Sequence, residues 1–255
     1  MRSDSPESTN GELWLYLLGG FKTAPLFMEE VRLALHARLE AAGERVRSRL
    51  LLPYGDWSRR AVPQLWEIRR DIGLRPQRAS RSIGGRRALQ AIEAEERAAG
   101  PGEGADVRRR IFVGHSGGGV AAVHAAQTLL MRDGCPPGPV VLVGSPRVRI
   151  PERLREGTLY VRSEGRTPVR SADPVARIGS FGGWTYSARF RLPVWHGTKY
   201  APGEAASVPV IGGHADYFRD RPPYVDPQGR SNLDRLLDIV WPWLLAQLNR
   251  SGAAT

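Results

Sequence analysis

The fold is decided by the stretch Ile111-Phe112-Val113-Gly114-His115-Ser116-Gly117-Gly118-Gly119-Val120-Ala121-Ala122-Val123. An apolar run typical of a buried strand ends at Val113, and an alanine-rich run typical of a helix begins at Gly119. A Gly-x-Ser-x-Gly motif lies between them, in the strand–turn–helix setting that it requires. The stretch therefore predicts a sharp turn that lifts the Ser116 hydroxyl clear of a sheet, with glycines on both sides because larger side chains would collide.

Strand-like and helical patterns alternate along the rest of the chain. The strand-like runs cover residues 13–18, 46–52, 107–113, 140–143 and 159–161, with shorter pieces at 190–195 and 208–211. The helical patterns cover residues 25–42, 62–72, 88–99, 119–131 and 233–248. Because alternating strands and helices pair through right-handed crossovers, the predicted fold class is α/β, with a mostly parallel central sheet flanked by helices on both faces.

The length of 255 residues favours one large domain over two small ones. We expect a disordered lead-in over residues 1–11 and a single domain over 12–250. Residues 57–105 exceed what one crossover requires, and they are expected to form a lid or an extended crossover. The sequence shows no membrane-length apolar run and no basic leader, so a cytoplasmic location is expected.

The chain carries a formal charge of +11, and nearly all of the excess comes from arginine. Such a balance can indicate an anionic partner, but the arginines are spread along the chain without an aromatic-basic stripe or a nucleic-acid module. A solvated basic surface is the preferred interpretation, with no specific nucleic-acid partner. Cys135 is the only cysteine, which excludes an intramolecular disulfide and leaves an ordinary thiol in a loop.

A serine nucleophile needs a base, and three histidines follow Ser116 along the chain. His124 falls on the helix after the turn and is interpreted as structural. His196 directly follows a strand-like piece. His214 follows the last strand-like piece on a loop with two glycines before it, which is where the base of this arrangement is expected. His214 is therefore preferred over His196.

The histidine needs an orienting carboxylate, expected between the serine and the histidine along the chain. Asp173 follows the fifth strand-like run and is the preferred acid, with Glu164 as its main rival. Asp216 and Asp220 come after the histidine and break the expected order. Helix capping is a second role open to Asp173, because Asp-Pro is a good helix start, and the two roles are compatible.

The oxyanion of an acyl-transfer intermediate requires backbone N–H donors. Gly117, the residue after the serine, is the expected first donor. The second is expected from the loop after an early strand, where Gly19-Gly20-Phe21 offers the N–H of Phe21. A simple strand-to-helix turn explains that segment equally well. Neither a metal nor an organic cofactor is expected.

Four segments together resemble the class 3 (fungal-type) lipases, a family of α/β-hydrolases. In the family's order they are residues 113–119, 144–148, 173–177 and 214–218. The resemblance covers about residues 107–220, and it implies an α/β-hydrolase fold, a triad of Ser116, Asp173 and His214, and activity on acylglycerols or other carboxylic esters. The chain departs from the family at Gly117, where a bulky residue is usual, and at residues 19–23, where an Arg-Gly-Ser/Thr segment is usual.

These residues predict a serine hydrolase that cleaves a small-molecule or lipid carboxylic ester through an acyl-enzyme. The alternatives are an acyltransferase or thioesterase with the same triad, and a non-catalytic binding protein of the same fold. If residues 57–87 form a lid, their tryptophans and arginines suit weak contact with an anionic membrane surface. The residues in question are Trp57, Arg59, Arg60, Trp66, Arg69, Arg70 and Ile72. An ordinary amphipathic crossover helix is the preferred interpretation of that segment.

Overall fold

The structure is a computed structural model that describes residues 11–100, 108–165, 172–187 and 192–252. Residues 1–10 of the expected disordered lead-in lie outside these ranges, as do residue 107 and residues 190–191 of two predicted strands. In the described ranges, no helix is both long enough and apolar enough to cross a bilayer.

Six strands form one central sheet, and every neighbouring pair in it is parallel. The described residues contain eight strands in all, which are β1 (Leu13–Leu18), β2 (Val46–Leu51), β3 (Arg109–His115), β4 (Val140–Val143), β5 (Thr158–Ser163), β6 (Gly183–Tyr186), β7 (Pro193–His196) and β8 (Glu204–Val208). The central sheet has the order β2-β1-β3-β4-β5-β8, while β6 and β7 form a separate antiparallel pair. The predicted parallel sheet is confirmed.

Helices cover both faces of this sheet. They are α1 (Glu29–Ala41), α2 (Ala61–Ile72), α3 (Ile83–Ala98), α4 (Gly117–Asp133), α5 (Glu152–Arg155) and α6 (Asn232–Gly252), with short 3-10 helices at Pro76–Arg81 and Val175–Arg177. Successive side chains of a strand point to opposite faces, and β1 uses both. Leu15 and Leu17 belong to a core with α1 and α6, while Tyr16 and Leu18 belong to a core with α3 and α4.

The last strand of the sheet lies earlier in the chain than the sequence pattern predicts. The apolar run at 208–211 shares only its first residue, Val208, with β8, and the strand stops there because Pro209 has no N–H to continue the ladder. β8 is an edge strand, and four of its five residues, Glu204–Ser207, are not buried, so it lacks the apolar pattern of a buried strand. The predicted piece at 190–195 corresponds in part to β7, outside the central sheet.

The segment between β2 and β3 contains α2, a 3-10 helix and α3. A buried carboxylate fixes α2 to the start of α3. Asp71, which is fully buried near the end of α2, accepts hydrogen bonds from the Tyr54 hydroxyl at 2.9 Å and the Ser82 hydroxyl at 2.6 Å. It also accepts the backbone N–H groups of Ile83 and Gly84 at 3.0 and 2.8 Å. Four donors therefore hold α2 in one position against the core.

Candidate active site

Ser116 stands at the turn between β3 and α4 in a strained backbone conformation. Its φ is 55° and its ψ is −132°, a region that side chains other than glycine rarely adopt. The residue is 8 % exposed, and it directly precedes the first turn of α4, whose free N–H groups carry partial positive charge. Backbone strain of this kind clusters at functional sites, and Ser116 lines a cavity together with Gly117 and His214.

The glycines around Ser116 are required by close backbone contacts. A Cβ at Gly118 would lie 1.9 Å from the carbonyl oxygen of Leu18, and a Cβ at Gly114 would lie 2.4 Å from the Cα of Gly119. Both distances are shorter than any real carbon contact, so neither position accepts another residue without a shift of the backbone. The predicted reason for the two glycines of the motif is therefore confirmed.

His214 and Asp173 form a hydrogen-bonded pair close to Ser116. The Nδ1 of His214 lies 2.7 Å from the Oδ2 of Asp173, which follows β5 and is 3 % exposed. Asp173 also caps the 3-10 helix that follows it, since its Oδ1 accepts the N–H of Val175 at 2.8 Å. Burial acts to raise the pKa of the Asp173 carboxyl, but the hydrogen bond and charge interaction with His214, together with the hydrogen bonds from Val175 and Tyr217, hold that pKa below its usual value.

Tyr217 donates a further hydrogen bond to this carboxylate, a role that the sequence patterns did not predict. Its hydroxyl donates to Asp173 Oδ2 at 3.0 Å and accepts the backbone N–H of Ser163 at 2.7 Å. Burial and the nearby charge of Asp173 raise the pKa of this phenol, so it remains a donor. In the sequence, the one sign of a role for Tyr217 was its position three residues after His214. Its partner Asp173 lies 44 residues earlier in the chain, so the contact itself could not be seen.

His115 lies under the ring of His214 and holds its loop. The two imidazole rings stack with centroids 4.8 Å apart, and His115 Nε2 lies 3.0 Å from the backbone carbonyl oxygen of His214. Burial, together with the neighbouring His214, lowers the pKa of His115 to about 3. The ring is therefore neutral at ordinary pH, and because a carbonyl only accepts, Nε2 carries the proton that it donates.

The segment predicted to supply the second oxyanion donor lies next to the first. A Cβ at Gly20 would lie 2.5 Å from the backbone nitrogen of Gly117 and 2.9 Å from the Cβ of Ser116. Phe21 follows directly and lines the same cavity as Ser116 and Gly117. Across the described residues, neither the N–H of Gly117 nor that of Phe21 donates a hydrogen bond to another protein group. Both N–H groups are thus available for a substrate oxygen.

Ser116 and His214 line one cavity of about 590 Å³. Its other walls are mostly apolar, and they include Phe27, Leu65, Ile68, Ile72, Val175 and Ile178. Among the hydrogen bonds of the described residues there is none between the Ser116 hydroxyl and the His214 ring. Catalytic hydrogen bonds are often long in structures without substrate and shorten when substrate binds.

Ile68 of α2 lies directly beside Gly117. A Cβ at Gly117 would lie 2.8 Å from Ile68 Cδ1 and 3.0 Å from Ile68 Cγ1. An aliphatic side chain of α2 therefore occupies the space next to Gly117 and forms part of the apolar wall of the cavity that Ser116 lines.

The rival residues lie away from Ser116 or have other partners. His196 ends β7 and is exposed, while His124 is buried with its Nε2 3.0 Å from the backbone oxygen of Asp71. Glu164 is exposed at the end of β5, and the Asp216 carboxylate accepts the N–H of Gly213 at 2.8 Å. The carboxylate of Asp220 lies beside Arg221 at the surface.

Two other kinds of site were also considered in the sequence. Cys135 lies in the predicted loop after α4. No group of three potential metal ligands occurs in the described ranges.

The parallel sheet with a strained serine between its third strand and the following helix is an α/β-hydrolase-type fold. No protein-family model matches the chain, and no curated protein matches it. Among solved structures, it is similar to the RedJ thioesterase from the prodiginine biosynthetic pathway in Streptomyces coelicolor. The two chains share 14 % identity with a TM-score of 0.46, over 96 % of this chain and 90 % of that one. No activity follows from a likeness at this level, so the chemistry is inferred from the side chains themselves.

Proposed function

We propose that this protein is a serine hydrolase that cleaves carboxylic esters through Ser116, His214 and Asp173. One observation carries the proposal. His214 lies 2.7 Å from the buried carboxylate of Asp173, and His214 lines the same cavity as Ser116, whose backbone is strained. A hydroxyl, an imidazole and an orienting carboxylate are the three groups that acyl transfer needs. The resemblance of four sequence segments to class 3 lipases supports an ester as the substrate.

The proposed reaction begins with proton transfer from Ser116 to His214. Because Nδ1–H of His214 donates to Asp173, the lone pair of Nε2 is available to accept the Ser116 proton. The Ser116 oxygen attacks the ester carbonyl carbon, and the N–H groups of Gly117 and Phe21 stabilise the oxyanion. His214 then protonates the leaving alcohol, and a water molecule activated by the same ring hydrolyses the acyl-enzyme.

The cavity supports an acyl chain of moderate size as the group that is transferred. Its volume of about 590 Å³ lies within the range for small-molecule sites. Leu65, Ile68 and Ile72 of α2 give it an aliphatic wall, and Arg69 of the same helix also lines it. A thioesterase would use the same residues, because the leaving atom changes and the oxyanion does not. Matched oxygen and sulfur esters of one acyl chain therefore separate the two activities.

The proposal is tested by labelling with a fluorophosphonate, which reacts with activated serines. Wild-type protein and the Ser80→Ala variant, which changes an exposed serine away from the site, are expected to label equally. Ser116→Ala is expected to lose labelling and at least 99 % of ester hydrolysis, since removal of a nucleophile costs several orders of magnitude. Equal labelling of Ser116→Ala, or no labelling of folded wild-type protein, would contradict the proposal.

We also propose weak contact between the outer face of α2 and an anionic lipid surface. Val62 and Trp66 of α2 are 77 % and 58 % exposed, and Trp57, shortly before the helix, is 59 % exposed. The guanidinium of Arg70 lies over the Trp66 ring, and Arg60, directly before α2, is also exposed. Apolar side chains flanked by arginines suit the boundary of an anionic bilayer. We expect co-sedimentation with anionic vesicles to fall several-fold in Trp57→Ser/Trp66→Ser. Equal binding of wild-type protein to neutral and anionic vesicles would contradict this proposal.

A further inference from the structure

A second cavity, of about 860 Å³, is lined by residues that the active-site cavity does not share. Ile72 lines the active-site cavity, while Arg75 lines the second one, together with residues of the β6–β7 pair. The side chains that carry its chemistry are Arg75, Arg78, Arg149, Trp184, Trp195 and Lys199. Four cations and two indoles around one concave space form a combination that the proposed hydrolase reaction does not use.

The positive charge of this cavity is not neutralised by the described part of the protein. Among the described residues, no carboxylate forms an ion pair with the three arginines or with Lys199 of this cavity. Other arginines of the chain are paired with buried acids. Arg149 makes only long contacts, of 3.4 Å, to the carbonyl oxygens of Gly73 and Gly182. Guanidinium groups that remain available around a cavity favour an anion, and their planar donors match the oxygens of a phosphate.

The aromatic wall of the cavity comes from the β6–β7 pair. Trp184 and Trp195 are register partners, and their rings meet edge to face with centroids 5.4 Å apart. They remain 62 % and 46 % exposed, although burying an indole is strongly favourable. Two exposed indoles at the wall of a basic cavity are suited to hold a planar ring of a ligand, by stacking on their free faces.

Backbone contacts keep this wall in place. A Cβ at Gly182 would lie 2.3 Å from the Trp195 ring, so glycine allows the indole to pack directly on the main chain. The N–H of Tyr200 donates to the carbonyl oxygen of Phe181 at 2.7 Å, and the Tyr200 carbonyl oxygen accepts the N–H of Ile150 at 3.0 Å. The β6–β7 pair is thereby attached to the segment that carries Arg149, and the cations and indoles share one framework.

We propose that this cavity binds a nucleotide. Its phosphates lie against Arg75, Arg78, Arg149 and Lys199, and its base lies on the indoles of Trp184 and Trp195. One concave space of about 860 Å³ suits a ligand with a single base and a short phosphate chain better than a polynucleotide, which requires an extended groove. The site is separate from Ser116, so its occupancy does not depend on the hydrolase reaction.

The test is a calorimetric titration of the full chain with ADP, adenosine and inorganic pyrophosphate. Wild-type protein and Ser116→Ala are expected to bind ADP equally, with a dissociation constant below about 100 µM, and to bind each fragment at least tenfold more weakly. Arg75→Ala/Arg78→Ala and Trp195→Ala are each expected to weaken ADP binding at least tenfold. Arg45→Ala, which removes an exposed arginine away from the cavity, is the control and should bind like wild type.

Several results would overturn the assignment. If folded protein does not bind ADP at millimolar concentration, the nucleotide proposal is wrong. This conclusion does not depend on whether Ser116 reacts with the fluorophosphonate. Pyrophosphate that binds as tightly as ADP would show that the indoles hold no base. A single-stranded oligonucleotide that binds far more tightly than ADP, with the same sensitivity to Arg75→Ala/Arg78→Ala, would assign the cavity to nucleic acid instead. Unchanged ADP binding in both cavity variants would place the nucleotide elsewhere.

Discussion

The hydroxyl of Tyr217 connects the acid of the proposed triad to the end of β5. It donates to Asp173 and accepts the backbone N–H of Ser163, so one side chain fixes both the position and the ionisation of the carboxylate. A donor to a carboxylate favours its charged form, and this bond is one of the causes that lower the pKa of Asp173. Tyr217 therefore acts on the proposed reaction through Asp173 and His214.

We predict that Tyr217→Phe lowers kcat/KM for ester hydrolysis about tenfold, or about 1.4 kcal/mol, because a hydrogen bond to a charged group is lost. Loss of the donor also raises the pKa of Asp173, so the acid limb of the pH–rate profile should move to higher pH. Tyr224→Phe changes a phenol with no contact to Asp173 and serves as the control. An unchanged profile with only a lower melting temperature would show that Tyr217 is purely structural.

The sequence was informative about residues whose roles depend on neighbours along the chain. Ser116 and Gly117 could be predicted because a motif and its flanking strand and helix are local features. Asp173 and His214 followed from their order along the chain, and the structure brings them into contact at 2.7 Å. Tyr217 and Ile68 could not be predicted, because their contacts with Asp173 and Gly117 join distant segments and neither a motif nor an expected order along the chain marks them.

At the scale of elements, the two glycines in the first turn of α3 made its start unrecognisable as helix in the sequence. The sequence pattern predicted a helix from residue 88, but α3 begins at Ile83 after Ser82, whose hydroxyl accepts the N–H of Gly85 at 2.9 Å. Glycine has low helix propensity, yet a Cβ at Gly84 would lie 2.3 Å from the Tyr54 ring. Tertiary packing therefore requires a residue that local propensity disfavours.

The attachment of α2 gives a prediction at the same scale. Asp71→Ala is expected to lower the free energy of unfolding by about 3 kcal/mol, because four donors lose a buried acceptor. Asp238→Ala, which removes a surface carboxylate, should lower it by less than about 1 kcal/mol. Urea denaturation measures both values. An Asp71→Ala variant as stable as wild type would mean that apolar packing alone holds α2.

The whole molecule contains a buried histidine that links its stability to pH. The pKa of His115 is about 3, below its ordinary value of 6.5, because burial disfavours the charged ring. Below pH 6.5 the unfolded chain therefore binds a proton that the folded protein does not, and stability decreases as the pH falls toward 3. His124 is also buried with a lowered pKa, and it contributes with the same sign.

We predict that wild-type protein loses about 2 kcal/mol of stability between pH 7 and pH 5 through His115. His115→Gln keeps a donor for the His214 carbonyl oxygen but cannot take up a proton, so its loss over this interval should be smaller by that amount. Denaturant unfolding at the two pH values measures the difference. Parallel losses in the two proteins would assign the acid sensitivity to other groups.

The class of the fold could be predicted from sequence, whereas the order of its strands could not. Apolar runs marked β1, β3, β4 and β5 because these strands are buried on both faces. The position of β8 beside β5 and the separate β6–β7 pair depend on contacts between distant segments, which local patterns do not encode. The second cavity is also formed by contacts between distant segments. Its arginines and Lys199 therefore could not be distinguished, in the sequence, from the other basic residues spread along the chain.

Ile68 and Gly117 lead to a conclusion about how such a protein diversifies. In the proposed reaction, the acyl chain of the ester would rest against the apolar wall that α2 provides beside Gly117, while β3 and α4 position Ser116. Substrate preference and reactivity would then be encoded in separate stretches of the gene. A lineage could adopt a longer or shorter substrate by exchanging one aliphatic residue in α2, without any change in the turn at Ser116.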